Sequence, residues 1–297
     1  MPSQRILFTS DLHSRRELYS ELVRWADEVH AQWVVLGGDL FGGDLRAQAA
    51  FASGPCLETL HHLRETGVQG VCILPGNDDW SAALEALRPH ASEGRLRWIA
   101  EAPVELGGGV NLLGYAYVPL TPLSVKDFEK LDHYRPDKLH VLEGIASGVG
   151  SANGGVHGVT RALDGSESIA KDLEALVPLV RPARTLFVSH CPPRNTHLDL
   201  AFGRHTGSQA LRAFLERTRP ALSLHGNVHP FETRADTFAE WVGETLAVNP
   251  GQGSRLHAVH FDAERPLETL VHTVLGPWRA TPPARETAPP APASDVR

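Results

Sequence analysis

Arg5-Ile6-Leu7-Phe8-Thr9-Ser10-Asp11-Leu12-His13 reads as an apolar strand that ends on a polar cluster. The signature recurs along the chain. Trp33 to Leu36 runs into Gly38-Asp39, Val71 to Leu74 into Gly76-Asn77-Asp78-Asp79, Thr185 to Ser189 into His190, and Ala221 to Leu224 into Gly226-Asn227-Val228-His229. A strand delivers its C-terminal end to a fixed point, and sites in open α/β sheets form in the crevice beyond those ends. These scattered residues are therefore expected to converge. Their donors are carboxylate, imidazole and amide oxygen without thiolate, a set suited to Mn, Fe or Zn.

The segments between the first strands carry helical spacing. Leu18, Leu22, Trp25, Ala26 and Val29 fall on one face of a helix expected over 14–31, and a second helical stretch covers roughly 45–65. The resulting β-α-β-α-β order predicts a mostly parallel sheet with crossover helices. Later strands are expected near 110–113, 185–189, 221–224, 245–248, 256–261 and 267–274. The last of these follow one another without helices, which favours antiparallel pairing and a mixed second sheet. The expected fold is α/β, with two mixed β-sheets packed as a sandwich and flanked by helices.

Composition narrows the function classes. The 297 residues are 42% hydrophobic and 21% charged, ordinary for a globular chain. Net charge is −7, with a pI near 6.1. No run of Lys and Arg marks a nucleic-acid surface, so no stable nucleic-acid complex is expected, although a nucleotide substrate stays open. Cys56, Cys72 and Cys191 form no disulfide framework. The first strand begins almost at the initiator Met and no apolar run approaches bilayer length, so the expectation is a cytoplasmic protein without a membrane segment.

Two segments depart from the alternation. Residues 115–165 carry Pro119, Pro122, Pro136 and the Gly-rich stretch 147–155. Either a cap over the site, using Tyr115, Tyr117, Lys126, Phe128, Tyr134 and Arg135, or a mobile insertion fits such a connection. From Arg279 the chain is rich in Pro and Ala and offers too little apolar surface to offset its ordering entropy. The expected organisation is one domain over 1–278 and a disordered tail over 279–297.

Taken together, Asp11-Leu12-His13, Gly38-Asp39, Gly76-Asn77, His190 and Gly226-x-x-His229 resemble the five signature motifs of the calcineurin-like metallophosphoesterases. Ser189-His190-Cys191-Pro192-Pro193, Thr206-Gly207-Ser208 and Val248-Asn249-Pro250-Gly251 resemble an Icc-related branch of that superfamily. The resemblance implies that Asp11, His13 and His229 hold one divalent ion, that Asn77 and His190 hold another, and that Asp39 bridges them. It also implies hydrolysis of a phosphodiester or activated phosphomonoester, with a hydroxide shared between the ions as nucleophile. On this reading Asp39, Asn77 and the neighbouring Asp78 are the catalytic candidates. A bridging carboxylate can use its two oxygens on two cations.

The chain departs from the superfamily pattern at two positions. Asp78 stands where a His commonly protonates the leaving oxygen or stabilises the transition state, and a carboxylate beside two cations is expected to be ionised and a poor proton donor. Asn227 stands where another His commonly serves the second ion, which implies a weaker site. His225 shares a strand face with Asn227 and is read as packing behind the ligands. Arg194 and His197, close after His190, are candidates for contact with the phosphoester substrate. His61, His62, His90, His257, His260 and His272 are read as structural. The alternative function is a catalytically degenerate fold that binds a ligand or partner.

Overall fold

The computed structural model describes residues 4–92, 94, 96–133, 139–228 and 237–279. Two large sheets form its centre. The first has seven strands in the spatial order Gly276–Pro277, Val271–His272, Val259–Asp262, Arg5–Thr9, Trp33–Gly37, Gly70–Leu74 and Leu96–Trp98. The second has six, in the order Ala239–Val242, Thr245–Val248, Leu222–Leu224, Thr185–Ser189, Val110–Tyr115 and Val104–Gly107. The four strands from Arg5–Thr9 to Leu96–Trp98 are parallel, as are the four from Thr245–Val248 to Val110–Tyr115. Antiparallel partners flank these parallel blocks.

The strands read as unbroken apolar runs because both of their faces are buried. Side chains alternate across a strand, so Ile6 and Phe8 face the second sheet while Leu7 faces the helices. Ile6, Phe8, Val35, Leu74 and Phe261 meet Leu112, Leu186, Val188, Leu224 and Val248 between the sheets. Leu7, Val34, Leu36 and Ile73 pack outward against Leu18, Leu22 and Ala26 of the helix Arg16–Glu28 and Leu60 and Leu63 of the helix Leu57–Glu65. On the other side Phe187 meets Phe214 at a ring separation of 4.9 Å, beneath the helices Ile169–Leu176 and Gln209–Thr218. Each large side chain so buried contributes about 1.5–3 kcal/mol. The fold is thus a two-sheet sandwich with helices on both outer faces.

Three local expectations change. The helical stretch over 45–65 is two helices, Leu45–Phe51 and Leu57–Glu65, joined by a π-turn over Ala52–Cys56 that contains Pro55. Proline has no N–H to donate and crowds the preceding turn, so the hydrogen-bond spacing widens there. The first helix begins at Arg16 rather than at 14, because Ser14 is left-handed (φ 58°) and its N–H is committed to Leu40 O at 3.0 Å. The C-terminal strands join the first sheet, not the second. Val259–Asp262 pairs antiparallel with Arg5–Thr9, where Arg5 Nε also donates to Asp262 Oδ1 at 3.0 Å.

Within 115–165, the strands Ser147–Ala152 and Gly155–Thr160 form an antiparallel hairpin. It is docked where Asp127 accepts N–H donors from Ser81 and Ser151, each at 2.9 Å, and Ser81 Oγ donates to Ser151 O at 2.8 Å. The hairpin therefore abuts the residues directly after Asp78-Asp79. Lys126 does not offer its charge to a ligand: it is fully buried, 2.7 Å from the equally buried Glu129 carboxylate. Tyr115 is likewise occupied, its hydroxyl donating to Asp172 at 2.7 Å. Tyr134, Arg135 and Pro136, together with the tail beyond Arg279, lie outside the described residues. Among the described residues no helix is long and apolar enough to cross a membrane.

Candidate metal centre

The polar clusters meet at the seam between the C-terminal ends of the two sheets. Asp11, His13 and Asp39 each offer a ligand atom, and these atoms all lie within 4.8 Å of one another. From the second sheet, His190 brings Nε2 to 3.2 Å from Asp39 Oδ2. On the side of Asp78, His13 Nδ1 lies 3.8 Å from that residue's Oδ2, while His13 Nε2 lies 3.9 Å from Asp39 Oδ2.

Backbone conformation aims these groups. Asp11, His13, Asp39 and Asn227 all have positive φ, at 58°, 43°, 49° and 64°. L-residues disfavour this region, and such strain persists where surrounding structure fixes it, commonly at functional sites. The fixing bonds are present. Asp11 N–H donates to Gly38 O and His13 N–H to Asp39 O, at 2.9 and 3.0 Å, lacing the first two loops together. Asn227 N–H donates to Asp11 Oδ1 at 3.0 Å, and Ser10 Oγ donates to Asp11 Oδ2. Close approach also requires glycine at 76, because a Cβ there would lie 2.2 Å from Asp39 Oδ1 and 2.7 Å from His190 Nε2.

The donor atoms suit cations. His190 Nδ1 lies 2.8 Å from Gly37 O, so its N–H is spent on that carbonyl and the buried Nε2 is left as the electron-pair donor, with no hydrogen-bond partner of its own. Asn77 donates through Nδ2 to Asp78 Oδ1 at 3.2 Å, leaving its buried Oδ1 without a partner. Two orphaned buried donors beside a carboxylate are costly unless a ligand satisfies them. The residues present therefore fit divalent ions.

Asp39 behaves differently from the expectation that both its oxygens face cations. Its Oδ1 accepts the Asp78 N–H at 2.9 Å, and Oδ2 is the oxygen that faces both His13 and His190. Burial works against its charge, but the His190 imidazole and then His13 hold the carboxyl below its usual range. Burial would lower His190, and the Asp39 charge raises it instead. At Asp78, burial and then the charge of Asp39 raise the carboxyl, the reverse of what adjacent cations would do.

Some essential supports have no signature in sequence. Asp79 takes three backbone donors, Phe41 N–H on Oδ1 at 2.9 Å and Gly76 and Leu40 N–H on Oδ2 at 2.8 and 3.2 Å, so it ties the second polar loop to the third. Burial and then the Asp39 charge push its carboxyl up to about 7 against the pull of those donors. Gln48 Nε2 donates to Asp78 O at 2.8 Å and its Oε1 accepts Trp80 N–H at 2.9 Å. Neither a lone Gln in a helix nor an Asp at the end of a polar cluster signals such a role.

The remaining predicted residues are placed as follows. His225 is buried beside His190, Nδ1 lying 3.0 Å from both Ser189 O and Cys191 O, the carbonyls that flank His190; burial lowers its pKa to about 4. Arg194 Nη1 donates to His205 O at 3.0 Å, and His197 Nδ1 lies 3.0 Å from Glu240 Oε2. Their partners are on the loop beyond His190 and on the edge strand Ala239–Val242, not in the metal cluster. Asn227 joins the centre through its backbone N–H. His229 lies outside the described residues.

Comparison with known proteins agrees with this fold. The fold is similar to that of the protein TT1561 of Thermus thermophilus, with a TM-score of 0.58 at 19% identity over 92% of this chain and 99% of that one. It is also similar to a dimetal phosphatase from Danio rerio, with a TM-score of 0.51 at 13% identity over 84% of this chain and 88% of that one. No curated protein matches the sequence. The family model for calcineurin-like phosphoesterases matches residues 4–231, a span that includes every polar cluster described above, and the chain belongs to that family.

Proposed function

We propose that this protein is a metal-dependent phosphoesterase acting on a phosphodiester or an activated phosphomonoester, a nucleotide among the candidate substrates. The observation that carries the reading is the convergence of Asp11, His13 and Asp39 ligand atoms within 4.8 Å. The orphaned Asn77 Oδ1 and His190 Nε2 extend the cluster. Asp11, His13 and His229 would hold one divalent ion; Asn77 and His190, with Asn227, would hold a second; Asp39 would be shared through Oδ2. Mn, Fe or Zn suits this oxygen and nitrogen donor set.

Bound ions supply Lewis-acid charge for the phosphoryl oxygens and an activated water as nucleophile. The chain's own residues do the positioning. Asp79 fixes the separation of the Asp39 and Asn77 loops, the Gly37 carbonyl fixes the tautomer of His190, and the left-handed turns at Asp11 and Asp39 aim two carboxylates into one space. A cytoplasmic location belongs to the same proposal, supported by three buried cysteines that are all free.

The test is chelator-stripped protein reloaded singly with Mn, Fe or Zn, assayed for metal content and for turnover on a panel of phosphomonoesters and phosphodiesters. Metal-restored turnover of at least one class is expected. Stoichiometric metal with no turnover on any member would favour the binding-module alternative, for which the Asp78 and Asn227 departures speak.

A further inference from the structure

We infer that Asp78 is a positioning residue for both proposed ions, one of its carboxylate oxygens orienting the Asn77 amide while the other faces the His13 imidazole. The inference rests on the phosphoesterase reading above, and it takes Asp78 out of the catalytic set to which the resemblance assigned it. Its Oδ1 accepts the Asn77 Nδ2–H at 3.2 Å, and its Oδ2 lies 3.8 Å from His13 Nδ1. Asn77 and His13 belong to the third and the first polar loops, so a single carboxylate spans the two halves of the ligand set.

An amide has nearly the same shape in its two flipped orientations, so a neighbouring group must decide which end meets a cation. Asp78 makes that choice at Asn77. With Nδ2 spent on the carboxylate, the amide presents Oδ1 on its other side, where that oxygen is buried without a hydrogen-bond partner. The flipped amide would set its oxygen against the Asp78 carboxylate and turn its NH2 toward the ion, which is repulsive at both ends.

The other oxygen acts on His13. The His13 ring turns Nε2 toward the proposed shared oxygen, Asp39 Oδ2, at 3.9 Å, and Nδ1 toward Asp78 Oδ2. An imidazole that gives Nε2 to an ion carries its remaining proton on Nδ1, and here that proton faces a carboxylate. Outer carboxylates placed in this way hold the ring orientation of a ligating histidine and strengthen it as an electron-pair donor. At 3.8 Å the contact is attraction between a charge and the ring rather than a hydrogen bond.

The backbone of Asp78 is fixed from both sides. Its N–H donates to Asp39 Oδ1 at 2.9 Å, and its carbonyl accepts Gln48 Nε2 at 2.8 Å from the helix Leu45–Phe51. Through backbone and side chain together, Asp78 therefore touches three proposed ligands, Asp39, Asn77 and His13. The two adjacent carboxylates divide the work: Asp79 takes backbone donors and ties loops, whereas Asp78 meets ligand side chains. The Asp78 side chain is 41% exposed, so it adds little to the core and its truncation acts mainly on the centre.

The experiment titrates zinc into chelator-stripped wild type, Asp78→Asn and Asp78→Ala by calorimetry, and records the visible absorption of each protein at saturating cobalt, which reports ligand geometry. Asp78→Ala should weaken both binding events by about 10–100-fold and shift the cobalt bands. Asp78→Asn keeps one acceptor oxygen, enough for Asn77 or for His13 but not for both, so it should weaken one event and leave the other near the wild-type value. Melting of the stripped proteins checks that the loop stays folded, and the nearly isosteric Asp78→Asn carries the test if alanine destabilises it. Wild-type affinity in Asp78→Ala, an unchanged cobalt spectrum in that variant, or equal losses on both events in Asp78→Asn, the mark of a simple charge effect, would each overturn the inference and leave the phosphoesterase reading standing. A wild type that takes up neither zinc nor cobalt would overturn both.

Discussion

Oδ2 of Asp39 lies 3.2 Å from Nε2 of His190, although the two side chains follow strands of different sheets. The contact places the proposed bridging oxygen at the seam of the sandwich. Each sheet contributes part of the proposed ligand set, so integrity of the centre depends on how the sheets are packed together.

The first prediction concerns Asp39 itself. Asp39→Ala removes the oxygen that faces both His13 and His190. Metal affinity should fall by more than the roughly 10–100-fold that loss of an outer hydrogen-bond partner costs, and metal-restored turnover should vanish. Calorimetry and metal analysis measure the first, the phosphoester assay the second; wild-type stoichiometry in the mutant would exclude Asp39 as the shared ligand.

Gly76→Ala tests the geometry without altering any ligand. The added methyl would sit 2.2 Å from Asp39 Oδ1 and 2.7 Å from His190 Nε2, so one of these side chains must move. At least about tenfold weaker metal binding is expected, with a stability loss of about 1–3 kcal/mol from overpacking. Chemical denaturation and metal titration separate the two effects, and tolerance in both would show that the loop relaxes freely.

Asp79→Ala should cost stability before it costs chemistry. It strands the buried N–H groups of Leu40, Phe41 and Gly76, and each unsatisfied donor costs about 1–3 kcal/mol. A loss of about 3 kcal/mol or more is expected in denaturant unfolding, together with lower metal content. Asp79→Asn, which retains one acceptor oxygen, should lose less. A melting temperature equal to that of wild type for Asp79→Ala would contradict the clamp.

His272 provides a pH prediction away from the centre. It is buried, Nε2 lying 3.0 Å from Pro250 O and Nδ1 accepting the N–H groups of Val274 and Leu275. Burial holds its pKa down to about 4. A depressed histidine contributes stability that is present above its unfolded value near 6.5 and is lost as pH falls through the folded value. Acidification from pH 7 to 4 should therefore remove up to about 3 kcal/mol through this residue. Denaturant unfolding at several pH values checks it: His272→Gln should start less stable and show a shallower decline over that window, and parallel slopes would refute the role.

Much of the fold was legible from short-range patterning. Strand-length apolar runs ending on polar clusters mark buried parallel strands, and the helical face Leu18, Leu22 and Ala26 lies where its spacing puts it, against the first sheet. Pairing was not legible at the C-terminus. Val259–Asp262 follows the second-sheet strands in sequence but pairs with Arg5–Thr9, since an edge beside the first strand was open and Phe261 fills the space between the sheets there. Pro55 carried a visible signal for the break between two helices, and the periodicity masked it.

The sequence by itself determined the donor chemistry and its positions at strand ends, because residue type and strand periodicity are local properties. Tertiary structure alone decided which oxygen of Asp39 faces His13 and His190, that Asp79 spans two loops, that Lys126 is consumed by Glu129, and that Asn249 ties Leu198 O to Gly226 O. Most of these contacts join residues far apart in the chain. Their geometry exists only once two sheets have been packed to the separation that their shared core sets, so no local pattern encodes it.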